Sequence, residues 1–355
     1  MSDSDGLRGT ALVAEPEGHF RLAEVVTSPI GDDDIGIETL WSGVSIGTEF
    51  AVLTGKLDWG RFPIVTGYMA TGQVVAVGSN VKDFTVGETV YYRRNNSLRL
   101  RESGTELNCR SGTHASVAVL NPTGTHGAAQ VPDGVSAETA SMFVMPSVGL
   151  YGVDMAGVGV GAIVIVIGLG MIGLGVVSAA VRRGAVVVGI DPRAECRAIA
   201  ARFGAAATIE PEPDAIFEQV AEVVPAIGES NGADFVFEST GMPSLVDTGI
   251  KLCRPFGCFI WQGNYGDGQI SFEFLEAHHR RLRMVFPCDD GYRPFRRASL
   301  EAVALGAMPW GEVITNRISY DEMPTFYSDI YTGKAGSVIG SVVNWEGAGR
   351  AACRP

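Results

Sequence analysis

Apolar and polar residues follow two different periods along this chain, and the change comes near residue 150. Before it, short β-favouring runs recur between Gly, Pro and Asp: Thr10 to Val13, Ile35 to Trp41, Gly72 to Val77 and Thr89 to Tyr92. The second alternates, which places Ile35, Ile37, Thr39 and Trp41 on one face of a strand. Beyond 150, apolar strand patterns alternate with helix patterns, as a doubly wound parallel sheet requires. Pro192 to Phe203 reads as a helix with Cys196, Ile199, Ala200 and Phe203 inward and Gly204 as its stop. Asp214 to Val224 reads as another helix. Strands are predicted at Phe235 to Glu238, Cys258 to Trp261 and Met284 to Phe286, and a last one at Val338 to Val343. The pattern implies an α/β chain in which a parallel-sheet domain (148–292) is inserted into a β-rich domain formed by 1–147 and 293–355. Residues from Glu346 on read as a loose tail.

The densest chemical signal is IVIVIGLGMIGLGVVSAAVRRGAVVVGID at 163–191. A β-branched run feeds a GxGxxG turn of Gly168, Gly170 and Gly173, with Met171 and Ile172 opening the following helix, and a second strand then delivers Asp191. The three glycines permit, in turn, a tight turn, close backbone approach to a pyrophosphate, and helix–strand packing. The helix N-terminus favours the anion. Asp191 lies 21 residues beyond Gly170, where a carboxylate can accept from both adenosine ribose hydroxyls. Because a 2′-phosphate would meet a like charge there, the expected cofactor is NAD, although Arg193 could hold such a phosphate.

The bulk numbers narrow the classes. The 355 residues are 46% hydrophobic and 19% charged, which suits an ordinary soluble protein of two domains. A net charge of −13 argues against nucleic-acid binding, since phosphate affinity comes from Lys and Arg. Met155 to Val181 carries no formal charge for 27 residues, but seven glycines interrupt it, so no membrane span is expected. Six cysteines without a CxxC, and a polar N-terminus without a signal-peptide core, suggest reduced thiols and a cytoplasmic location.

Several phrases, GVSIGTE (43–49), PIVTGYMATGQVVAVGSNV (63–81), VGETV (86–90), GLGMIG (168–173) and GKAGSVIGSVV (333–343), resemble the medium-chain dehydrogenase/reductase superfamily. The resemblance spans roughly residues 10 to 344 and implies a GroES-like catalytic domain carrying a Rossmann domain, and a homodimer. WSGVSIGTE is similar to the zinc-lacking branch that includes bacteriochlorophyllide hydroxyethyl dehydrogenases. Where zinc-dependent relatives place ligands, this chain has Ile46 or Ser45, Tyr68 in place of the His of Gly-His-Glu, and no Cys, His or Asp between 139 and 150. The four-cysteine structural lobe is reduced to Cys109. No metal is therefore expected.

The resemblance then implies roles. Tyr68 replaces a metal ligand and would donate the proton, Thr48 would relay it, and Glu49 would act as base or orienter. Ser239, Thr240, Gly241, Gln262 and Gly263 would approach the nicotinamide half of the cofactor. Arg93, Arg94, Arg99, Arg101 and Arg110 are read as a solvated loop, and His278 and His279 as a surface or interface pair. His114 and His126 are unassigned, and Met142, Phe143 and Met145 are read as core. The expected function is NAD(H)-dependent, zinc-free interconversion of a secondary alcohol and a ketone on a small molecule such as a secondary metabolite, a cyclitol or sugar, or a tetrapyrrole. Reduction of activated C=C bonds with NADPH, and a redox-neutral or non-catalytic protein that retains NAD, are the alternatives.

Overall fold

The computed structural model describes residues 6–212, 215–227 and 232–348. The chain divides into two units, Met1–Phe143 with Ile314–Pro355, and Val144–Val313. The first begins with β1 (Arg8–Glu15), β2 (His19–Thr27), β3 (Ile35–Val44), α1 (Ile46–Leu53), β4 (Ala70–Val77), β5 (Thr89–Tyr92), β6 (Leu98–Leu100), β7 (Glu106–Leu107), β8 (Val117–Leu120), β9 (Ala128–Gln130) and α2 (Ala137–Ala140).

The second unit holds α3 (Val144–Ala156), β10 (Ile163–Ile167), α4 (Met171–Arg182), β11 (Val186–Ile190), α5 (Ala194–Arg202), β12 (Ala207–Ile209) and α6 (Ile216–Ile227). It continues with β13 (Ala233–Glu238), α7 (Val246–Leu252), β14 (Cys253–Trp261), α8 (Phe274–His279), β15 (Arg283–Val285) and α9 (Tyr292–Ala304). The chain then returns to the first unit with β16 (Ile314–Ser319), α10 (Met323–Tyr331) and β17 (Gly340–Asn344).

In the second unit six parallel strands run in the order β12-β11-β10-β13-β14-β15. Strand order reverses between β10 and β13, and a crevice for ligands opens at such a switch point beyond the strand C-termini. β10 is wholly buried, which is why it reads as an unbroken apolar run rather than an alternating one. Met155 to Val181 is divided among the end of α3, β10 and α4, and among the described residues no helix is long and apolar enough to cross a membrane.

The first unit folds as a seven-stranded sheet, β16-β17-β3-β4-β5-β9 with β8 on β3, and a four-stranded sheet, β1-β2-β6-β7. The regular alternation expected along β3 fails at its far end. A register shift against β4 between Thr39 and Trp41 leaves Trp41 half-buried while Ile35, Ile37 and Thr39 stay buried.

The return point also differs from the expected 292/293. α9 belongs to the second unit because it packs on α3, where Ser147 Oγ donates to Ser299 Oγ at 3.3 Å. At the other end, within the stretch from Glu346 expected to be loose, Ala348 packs down and is 4% exposed, while Glu346 and Gly347 are exposed. Asp214 and the tail from 349 on, including Cys353, lie outside the described residues. Met142, Phe143 and Met145 are core as expected.

Candidate active site

Two functional centres form, one in each unit. In the first, α1 starts at Ser45, whose backbone is extended as an N-cap requires, yet its hydroxyl caps nothing. It instead accepts a hydrogen bond from the Tyr68 phenol at 2.6 Å, with Thr48 Oγ1 as a second acceptor at 3.3 Å. The fold thus brings Tyr68, Ser45 and Thr48 together although they lie on α1 and on the turn before β4. Arg93 lies over the Tyr68 ring, its Cζ 5.4 Å from the centroid, and its Nε donates to the Tyr68 carbonyl at 3.3 Å. Arg93 is therefore buried rather than solvated. Trp59 meets Tyr68 edge-on at 6.0 Å, and Arg110 covers Trp59 at 5.8 Å. Burial pushes the phenol up to about 12; its bonds to Ser45 and Thr48 and the Arg93 charge act the other way, and the Glu49 charge adds to the rise. Tyr68 is a protonated donor at neutral pH.

The phenol is bonded to Ser45 and Thr48 and not to Glu49, expected as base or orienter. Its carboxylate turns into the core, where Oε1 accepts from Ser45 N at 2.8 Å and Oε2 from Tyr327 OH at 2.8 Å and lies 3.0 Å from His114 Nε2. His114 Nδ1 lies 2.8 Å from Ser42 Oγ, which in turn accepts from Trp345 Nε1 at 2.8 Å. With the proton on Nε2, this chain runs donor to acceptor without conflict. Burial alone would raise the Glu49 carboxyl, but His114, Ser45 and Tyr327 hold it below its usual range, so it is ionised at neutral pH. Glu49 thus grips the first turn of α1 and acts on Tyr68 through the position of Ser45 and through its charge, which raises the phenol. Ser42, His114, Tyr327 and Trp345 escaped sequence reasoning because they lie on separate segments with no shared period.

This pocket does not suit zinc. The residues set against the ligands, Ile46 or Ser45 and Tyr68, offer at most hydroxyls, whereas zinc is held by thiolate, imidazole or carboxylate. Both His114 nitrogens and the Glu49 carboxylate are already paired in the core. Among the described residues, no group of three or more His, Cys, Asp or Glu could hold a metal ion.

The second centre fits a dinucleotide. Gly168 has φ +88°, and a Cβ on Gly173 would lie 1.9 Å from the Gly168 carbonyl oxygen, so neither position admits a side chain. A Cβ on Gly170 would meet nothing within 4 Å, which leaves open space over the start of α4 for an anion. Met171 and Ile172 form the first turn of that helix.

Asp191, at the end of β11, is not the free carboxylate the sequence suggested. Oδ2 accepts from Leu169 N at 2.8 Å, Oδ1 from Arg193 N at 2.9 Å, and the Arg193 guanidinium forks onto both oxygens at 3.0 Å. Burial would raise this carboxyl, but these bonds hold it below its ordinary value. All four lone-pair sites are filled, so ribose hydroxyls reach Asp191 only if the Arg193 side chain swings off.

Ser239, Thr240 and Gly241 leave β13, and Gln262 and Gly263 leave β14, as expected. Ser239 Oγ is buried there without a partner in the protein, which is the condition of an atom awaiting a ligand; the Gln262 side chain instead lies against α3, where its Nε2 donates to Val148 O at 3.3 Å and its Oε1 packs on Gly152. Glu238, which no motif had flagged, is fully buried between these loops. An acid closing the apolar strand FVFE was its only signal. His278 and His279 are exposed on α8, and the ring of His278 stacks on Phe274 at 5.4 Å.

Known proteins match this arrangement along most of the chain. Residues 31–147 match the alcohol dehydrogenase GroES-like domain, and residues 172–299 the zinc-binding dehydrogenase domain. D-xylulose reductase A of Aspergillus oryzae is 26% identical over 332 residues, covering 90% of this chain and 88% of that protein. D-guloside 3-dehydrogenase of Escherichia coli K12 is 28% identical over 232 residues, covering 65% of this chain and 59% of that protein. Among solved structures, a protein described as a zinc-binding dehydrogenase from Sinorhizobium meliloti 1021, bound to NADP, is similar with a TM-score of 0.81. It is 25% identical, and the match covers 95% of this chain and 99% of that one. With both family domains in order along one chain, over a β-rich unit and a parallel-sheet unit, the chain belongs to the medium-chain dehydrogenase/reductase superfamily.

Proposed function

We propose that the protein is a zinc-independent, NAD(H)-dependent oxidoreductase that interconverts a secondary alcohol and its ketone on a polyol-, sugar- or cyclitol-type substrate. The observation that carries this reading is the Tyr68 phenol, which stands where the resemblance sets a metal ligand and is protonated and bonded to Ser45 and Thr48. The names of the D-xylulose reductase and D-guloside dehydrogenase relatives favour polyol or sugar chemistry over C=C reduction.

A bound nicotinamide supplies or accepts the hydride. In the reducing direction Tyr68 donates the proton to the carbonyl oxygen, so that hydride and proton together convert ketone to alcohol. The Ser45 hydroxyl then rotates to donate to the phenolate, and Thr48, half-buried, passes in a proton from water. Oxidation runs the same steps backward. Arg93 over the ring stabilises the phenolate in either direction.

A ketone and polyol screen with NADH or NAD, run with Tyr68→Phe as control, tests this. The variant should keep NADH affinity and lose about 10²- to 10⁴-fold in kcat. Turnover equal to the wild type would sink the assignment. The NADP in the Sinorhizobium protein and the Arg193 fork beside Asp191 favour a second reading, NADP(H). Parallel titrations with NADH and NADPH separate the two. The homodimer reading draws on β15, an edge strand of its sheet, with exposed Phe274 and Phe286 nearby in sequence. Light scattering in solution tests it.

A further inference from the structure

Glu238 closes β13 and is 0% exposed. Its carboxylate accepts from Thr240 N at 2.8 Å and Gly241 N at 3.1 Å, and also from the Thr240 hydroxyl and the Tyr265 phenol. Its backbone carbonyl accepts from Gly263 N at 2.7 Å. One residue thereby ties the loop leaving β13 to the loop leaving β14. The two loops touch through bare backbone: a Cβ on Gly263 would lie 2.3 Å from Gly241 N, and one on Gly241 would lie 2.3 Å from Asn264 O. Burial and the Glu238 charge raise the Tyr265 phenol well above its ordinary value, so it remains a donor, and its ring meets Trp261 edge-on at 5.4 Å. Ser239, the residue that follows Glu238 in the chain, holds a buried oxygen without a protein partner.

Sheet order says which half of a dinucleotide these loops serve. The glycine turn and Asp191 lie at the ends of β10 and β11, so the adenosine half belongs on the β10-to-β12 side of the switch point. The other half falls over β13 and β14. We propose that Glu238 is a positioning residue for the nicotinamide half, holding the 239–241 and 262–265 loops so that Ser239 meets the carboxamide-bearing ring. The proposal rests on the dinucleotide reading of this unit and adds a residue that the glycine fingerprint does not contain.

The test compares NADH with ADP-ribose, which keeps the adenosine half and the pyrophosphate but lacks the nicotinamide ring. Wild type, Glu238→Gln and Tyr265→Phe would be titrated with each ligand by calorimetry. Loss of bonds to a buried carboxylate should weaken NADH about tenfold in Glu238→Gln and about threefold in Tyr265→Phe. ADP-ribose should stay within about twofold in both. Equal loss of both ligands would reduce Glu238 to a structural tie, and no loss of either would remove any role, so both outcomes overturn the proposal. If Glu238→Gln does not fold, Tyr265→Phe decides by the same ratio, since it keeps the ring against Trp261. Wild-type protein that binds neither ligand refutes the dinucleotide reading itself, a result distinct from equal losses in the variants.

Discussion

Glu49 and Glu238 are both fully buried carboxylates at the start or end of an element that carries function, yet they are held in opposite ways. Glu49 takes one donor from four residues away and its other partners from 65 and 278 residues away. Glu238 takes all of its side-chain donors from within 27 residues, on its own loop and the next. Asp191 resembles Glu238, with donors 2 and 22 residues away. A carboxylate bonded across the whole length of the chain gains its donors only after the sheets have assembled around it. One bonded locally is satisfied once two neighbouring strands have paired. The first kind couples α1 to the stability of its unit; the second ties the loops leaving β13 and β14 with less effect on global folding.

That contrast can be broken most sharply at Glu49. Replacing it by Leu leaves Ser45 N without its acceptor and His114 and Tyr327 with only each other, 2.8 Å apart, and urea denaturation should show a loss of about 3–5 kcal/mol. Glu238→Gln, measured beside it, should lose much less; equal losses would abolish the distinction.

Acid should discriminate next. The Glu49 carboxyl is depressed in the folded state, so its contribution to stability is complete above its unfolded value, close to the ordinary 4.5, and fades as pH falls through the lower folded value. A Glu49→Gln variant should therefore show a flatter stability profile below about pH 5 than the wild type. Parallel profiles would mean that the carboxylate is not held as described.

Asp191→Ala removes the tie between the glycine turn and β11 and the acceptor for ribose, and should weaken NADH about tenfold or more by fluorescence titration. Arg193→Ala should give the smallest effect and the opposite sign. Freed of its fork, Asp191 should bind NADH about threefold more tightly, while any NADPH affinity falls. Weaker NADH binding in Arg193→Ala would show that the guanidinium holds the cofactor rather than blocking it.

Legibility in the sequence followed the same division between near and far. The parallel-sheet unit could be read because its signals are contiguous: apolar strands of about five residues, the glycines at 168, 170 and 173, and the helix stop at Gly204. Its errors were local ones. Helix α5 begins at Ala194 rather than Pro192, and β14 begins at Cys253 rather than Cys258. The β-rich unit gave up β1, β3, β4, β5 and β17 but neither its remaining strands nor its centre. Tyr68, Thr48 and Glu49 were found by position, whereas His114 stood in an unassigned loop and Tyr327 on a helix near the C-terminus. Nothing in the spacing of 49, 114 and 327 marks them as neighbours.

By itself, then, the sequence determined the two architectures and the glycine turn at 168–173. These follow from residue type and short-range period, which a chain carries without folding. Only the tertiary structure decided that Glu49 turns away from the phenol, that Arg193 occupies Asp191, and that Glu238 joins two loops. Each of those depends on which donors reach a buried oxygen first, and that is settled by packing between segments distant in sequence or by the side-chain rotamers that packing allows.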